Sequence, residues 1–275
     1  MNMDRFTQEQ CDDLFAAILV HDDIYPDAAL PSAIHSDYTP EQLANVYGLC
    51  RQLWATGVDY AELARITDTL YRDRSISDDD LRRFKYIRAK FKHLQFSYIT
   101  CDARHRYPNG LHWMTVVMGE VQDAFKHSQI PAIGRYALLL KSFMTPVASR
   151  LIHRKVADFR PGTSADLKAH IANQIDQVRS SIARPTTTGQ EFHNLRKVIS
   201  RQTAFYDTTK ILYPSPYHEA VLKSFSTING LMGGLHDELV KRRFRGEQDY
   251  RKDRFAMPDD IRHWLTTLAQ AYQSA

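Results

Sequence analysis

Cysteine is scarce in this chain, long apolar runs are missing, and so is any strand-like alternation; each shortage narrows what the molecule can be. The 275 residues include 3 Cys, at positions 11, 50 and 101, with no Cys-x-x-Cys pair. An odd, scattered set argues against a disulfide framework or a zinc cluster. No apolar stretch approaches the roughly 20 residues that span a bilayer. Met1 to Asp13 carries acids rather than the basic-then-apolar order of an export signal. A cytoplasmic protein with no membrane partner is therefore expected. Nothing resembles a phosphate-binding glycine loop, a Gly-x-Ser-x-Gly elbow or a paired-cysteine site, so neither cofactor nor metal is expected. Runs of alternating β-branched residues are absent, which removes the usual signal for strands.

What remains is an ordinary globular composition, 43% apolar and 25% charged, in a chain long enough for one large domain or two small ones. A net charge of +4 conceals an asymmetry. Residues 1–80 hold 5 Lys/Arg against 16 Asp/Glu; residues 81–275 hold 31 against 16. The sign changes abruptly between Asp78-Asp79-Asp80 and Arg82-Arg83. Such polarity points to a basic surface for a polyanion, with an acidic region that packs elsewhere, screens it, or docks a protein partner.

Helical periodicity dominates. Phe84, Ile87, Phe91, Leu94 and Tyr98 recur at spacings of three and four, as an amphipathic helix requires. So do Leu222, Phe225, Ile228, Leu231/Met232, Leu235 and Leu239, and so do Leu167, Ile171, Ile175, Val178 and Ile182. Gln8–Val20 and Glu41–Trp54 are also amphipathic, and Pro40 suits a first helical position. Ser164 is the candidate cap for the helix after Pro161-Gly162. Pro- and Gly-containing breaks, among them Arg184-Pro185-Thr-Thr-Thr-Gly189, read as loops. An all-α fold is expected: an acidic helical extension over 1–37, then a helical domain over 38–275. Within that domain one repeat covers about 38–160, a second about 163–256, and a final helix 258–273, with the seam at Phe159–Gly162.

The repeats carry the functional signal. Phe84/Phe192, Arg88/Arg196 and Tyr98/Tyr206 share an offset of 108 residues; Gly119/Gly233 and Asp123/Asp237 share one of 114. Self-similarity of this kind predicts two like helical bundles burying their stripes in one core. Each copy sets a basic helix ahead of a Gly-Asp motif. Lys85, Arg88 and Lys92 fall on one helix face; His193, Arg196 and Ser200 occupy the equivalent points, with Lys197 and Arg201 beside them. Like charges stacked on one face repel, so an external anion is the natural counterion, and two such helices could line one basic groove. Gly119 and Gly233 suit close helix approach. Asp123 and Asp237 suit pairing with an Arg of the neighbouring helix.

His193-Asn-Leu195-Arg196-Lys197, followed by Met232-Gly-Gly-Leu-His236-Asp237, resembles the signature of the conserved-histidine α-helical (CHAD) family. Phe84–His93 and Met118–Asp123 resemble its first half, so the resemblance spans roughly residues 60–245. It implies two pseudo-symmetric four-helix units around a basic channel, binding of inorganic polyphosphate without catalysis, and association with polyphosphate granules. Carried over by position, the anion-facing residues would be Lys85, Arg88, Lys92, His93, His193, Arg196, Lys197 and Arg201, supported by Asp123, His236 and Asp237. Lys85 stands where the family has its first histidine, which marks a diverged member.

Two catalytic readings compete. His21-Asp22-Asp23-Ile-Tyr-Pro-Asp27 resembles the aspartate-rich site of isoprenoid synthases, but no second aspartate-rich helix partners it. His236-Asp237, with His193 or His218 and Asp259 or Asp260, could form an HD-type metal-dependent phosphohydrolase centre. A third reading is a helical scaffold or nucleic-acid binder, drawing on Lys241-Arg242-Arg243-Phe-Arg245.

Overall fold

The computed structural model describes residues 5–272. Among these are eleven α-helices and one pair of two-residue strands, so the chain is all-α as its periodicity predicts. It divides into two compact units, residues 5–11 with 47–161 and residues 12–46 with 162–272. The boundary falls within α1 (Gln8–Leu19) and α2 (Pro40–Gly57), and again at Pro161–Gly162.

The first unit contains α3 (Tyr60–Asp73), α4 (Asp78–Cys101), α5 (Asn109–Lys126), α6 (Ile130–Phe143) and α7 (Pro146–Ala157). Helices α3 to α6 close a ring in chain order, α6 returning to α3, and α7 packs on α5 and α6. Side-chain caps start the first two: Asp59 accepts from the N–H groups of Ala61 and Glu62, and Ser77 from that of Asp80. The abrupt charge change in the sequence is local pairing. Asp79 takes Arg82 and Arg83, Asp80 takes Arg65, and Arg83 also reaches Glu62. The arginines are about half exposed, so these pairs orient α3 and α4 and add little stability.

Asp102 fixes the end of α4. Its buried carboxylate accepts from Arg104 Nε and Nη2 at 2.8 Å each, and from the backbone N–H groups of Arg104 at 3.0 Å and Arg160 at 2.9 Å. Burial pushes its pKa up, but the Arg104 side chain and the two backbone donors outweigh it and hold the carboxyl below its ordinary value.

The second unit contains α8 (Ser164–Ile182), α9 (Gly189–Leu212), α10 (Pro216–Phe244) and α11 (Asp259–Ala271). They too close a ring in chain order, α11 returning to α8. Strands β1 (Thr187–Thr188) and β2 (Arg254–Phe255) pair antiparallel, Thr187 opposite Phe255. The Thr-rich stretch expected as a plain loop therefore holds a strand, which leads into α9. Thr163, not Ser164, caps α8, because Asp166 stands at the position that completes a reciprocal capping box; Thr188 and Glu191 repeat the device at α9. The acidic segment belongs to this unit. Tyr25 N–H donates to Thr227 Oγ1, Asn229 Nδ2 to the His21 carbonyl, and Ile34 N–H to the Ala271 carbonyl, at 3.0–3.1 Å.

The apolar stripe of α4 is buried throughout, from Phe84 to Tyr98. On α10 the buried line runs Val221, Phe225, Ile228, Met232 and Leu239, leaving Leu222, Leu231 and Leu235 half-covered. Periodicity misses the later halves of α4 and α9, which are buried on every side. Many of their polar residues pair, though Thr100 Oγ1, Gln202 Oε1 and Asp207 Oδ2 find no partner among the described residues. Thr203 and Thr208 return their hydroxyls to the carbonyls of Ile199 and Ala204, Ser200 donates to Asn229 at 2.7 Å, and Gln202 to Gln174 at 2.8 Å. Satisfied in this way, such groups bury at small cost.

Candidate functional site

In the first unit the expected anion-facing residues divide. Lys85 is exposed, Arg88 and Lys92 are half-buried, and His93 is buried at 4% exposure beside Leu94 and Gln95. Lys92 Nζ lies 5.3 Å from the Phe96 ring centre. Arg88 turns toward α5, where Nη1 donates to Gln122 Oε1 at 3.3 Å. A methyl group on Gly119 would stand 2.9 Å from Arg88 Nη2, so the guanidinium lies on bare helix backbone. Asp123, one residue beyond Gln122, is exposed.

In the second unit His193, Arg196, Lys197 and Arg201 are all half-buried on α9. The His193 ring stacks on His236 of α10, with centroids 4.8 Å apart and planes 30° apart. Tyr250 meets His236 edge-on at 6.2 Å. A methyl group on Gly233 would stand 3.0 Å from Arg196 Nη2, so α10 meets Arg196 as α5 meets Arg88.

Arg196 is incompletely paired. Arg196 Nε is buried without a hydrogen-bond partner among the described residues. Burial pulls the Arg196 pKa down from its ordinary value, opposed by the fields of Asp237, Asp22 and Tyr250. Asp237 itself is 59% exposed and stands 3.7 Å from His236 Nδ1. Lys197 is also pulled down, by burial and then by the neighbouring Arg201 charge. Desolvating a cation costs several kcal/mol unless a counter-charge meets it. A fork-shaped donor, an ammonium and two imidazoles beside a helix that lacks a side chain suit oxygens of phosphate or carboxylate.

Arg74 shows that an arginine laid on glycine is not by itself a ligand site. It ends α3 in the left-handed region (φ 56°), lies 5.0 Å over Tyr71, and covers Gly134. There the contact serves a helix terminus. Sequence reasoning overlooked Tyr250 and gave Gln122 no role. The signal for Gln122 was present, since Gln122 and His236 share the 114-residue offset of the two glycines.

Of the residues proposed for a metal centre, His193, His236 and Asp237 lie together. His218 has both ring nitrogens engaged, Nε2 with Tyr38 Oη at 3.0 Å and Nδ1 with the Tyr213 carbonyl at 2.6 Å. Asp259 and Asp260 open α11. No group of three or more His, Cys, Asp or Glu side chains arranged for a metal ion occurs among the described residues. No helix there is long and apolar enough to cross a membrane. No family model, no curated protein and no solved structure matches this chain.

Proposed function

We propose that this chain is a non-catalytic module that binds inorganic polyphosphate or a similar phosphate-rich polyanion, and that it is a diverged CHAD-like protein built from two pseudo-symmetric helical repeats. The observation that carries the reading is Arg196, a desolvated guanidinium with an unpartnered Nε, flanked by His193 and Lys197 and faced by Gly233. A phosphate oxygen at that point would supply the missing counter-charge. Support for the repeat is geometric: each unit closes a ring of four helices in the same order, and each lays an arginine on a glycine of the next helix. In this reading Arg88, Lys85 and Lys92 form the weaker anion-binding set of the first unit.

Fluorescence titration with long-chain polyphosphate, duplex DNA and RNA at two salt concentrations tests it. Polyphosphate should bind tightest, weaken steeply with salt, and lose affinity on Arg196→Ala and, less, on Arg88→Ala. Equal weak binding of all three polymers would sink it.

A further inference from the structure

Helix α7 turns an apolar ridge outward. Val147 is 67% and Leu151 55% exposed, one turn apart on the same face, while Ile152 and Val156 hold the opposite face in the core. Arg150 and Arg154 follow the ridge along one side and Lys155 flanks the other, all exposed. The adjoining helix α6 exposes Leu138 and Leu139 with Arg135. No Asp or Glu occurs anywhere from residue 124 to 157.

The helix dipole accounts for Arg154 and Lys155 in the last turn. It accounts neither for Arg150 nor for two large apolar side chains left in water. Exposed apolar residues rimmed by cations, on helices that carry no carboxylate of their own, match what a helix lying in a headgroup layer presents: a shallow apolar insertion with basic side chains reaching anionic lipid. A twofold pairing with a second copy would set these cations against themselves, and a polyphosphate chain gives the ridge nothing to contact. The lack of a membrane-crossing helix does not bear on attachment to a surface.

We propose that the α6–α7 face binds the surface of a membrane rich in anionic lipid, with Val147 and Leu151 inserting and Arg150, Arg154 and Lys155 meeting the headgroups. The test is co-sedimentation of the full chain with vesicles of phosphatidylcholine, alone or mixed with phosphatidylserine. Binding is expected only to the mixed vesicles and should weaken with salt. Arg150→Gln with Arg154→Gln should lower it about 30-fold, at about fivefold per charge. Val147→Ser with Leu151→Ser should lower it about tenfold or more. These positions are exposed, so melting curves should match the parent; Arg196→Ala and Lys252→Gln should leave vesicle binding intact. Absent binding, equal binding to both vesicles, or insensitivity to both double variants would overturn the proposal. So would loss on Arg196→Ala, which assigns the lipid to the polyanion residues. A dimer that the serine variant dissolves would assign the ridge to self-association and overturn it as well.

Discussion

Replacing Arg196 by Met should stabilise the free protein and cripple binding together. Arg196 is half-buried, its Nε has no hydrogen-bond partner, and burial draws its pKa down against the fields of Asp237 and Asp22. A residue present for internal stability would be expected to pair more fully. Removing an ion whose desolvation is incompletely offset recovers part of that penalty, up to about a few kcal/mol. Half-burial and the remaining field of Asp237 place this site at the lower end, about 1–2 kcal/mol. For a chain of this size that is a rise in Tm of roughly 2–6 °C. Differential scanning fluorimetry without ligand gives the first number, and anisotropy with labelled polyphosphate the second. Affinity should drop at least tenfold, the loss of one charge-assisted phosphate contact. A fall in Tm of several degrees would refute the reasoning, because it would make Arg196 a structural cation.

Other perturbations separate stability from binding in the same way. Gly233→Ala places a methyl group 3.0 Å from Arg196 Nη2; helix propensity favours Ala by about 1 kcal/mol, so Tm should hold or rise while polyphosphate affinity falls severalfold. Asp207 is buried with Oδ2 unpartnered, and burial drives its carboxyl well above its ordinary value. Its folded pKa therefore exceeds the unfolded one, so it lowers stability as pH rises from about 4 toward the folded value. Asp207→Asn should accordingly gain more stability at pH 7.5 than at pH 4.5 in urea titrations. Asp102 has the opposite sign: its contribution is present above about pH 4 and lost as pH falls through the depressed folded value. Asp102→Asn should cost about 2–3 kcal/mol at neutral pH, read as a Tm drop, with a smaller penalty in acid.

The legible parts of the fold were those with local causes. The stripe Phe84–Tyr98, the Pro40 helix start and the break at Pro161–Gly162 each follow from a few adjacent residues. Ser164 misled because one-residue differences in capping depend on which position meets Asp166. The pairing of Thr187 with Phe255 and the attachment of residues 12–46 to the second unit are long-range choices that no window of sequence contains. At the candidate site the offsets matched Arg88 with Arg196 and Gly119 with Gly233, but gave no sign that each arginine lies on the glycine of the next helix. They gave no hint that His93 is buried, since burial all round a helix leaves no periodic trace. The stacking of His193 on His236 was equally hidden, as it depends on the azimuth of two helices.

The discontinuous second unit has a consequence for how the protein is made. Residues 12–46 leave the ribosome well before residues 162–272, and Tyr25 and His21 bond Thr227 and Asn229, 202 and 208 positions later. At about 5–20 residues per second, that is a wait of roughly 10–40 s during translation. The waiting segment carries seven acids, Asp12, Asp13, Asp22, Asp23, Asp27, Asp37 and Glu41, and no Lys or Arg. Its like charge discourages collapse on itself and pairing with other nascent chains, and its eventual partners lie in the basic half of the polypeptide. Net negative charge on residues 12–46 thus favours a solvated segment until the rest of its own unit has been synthesised.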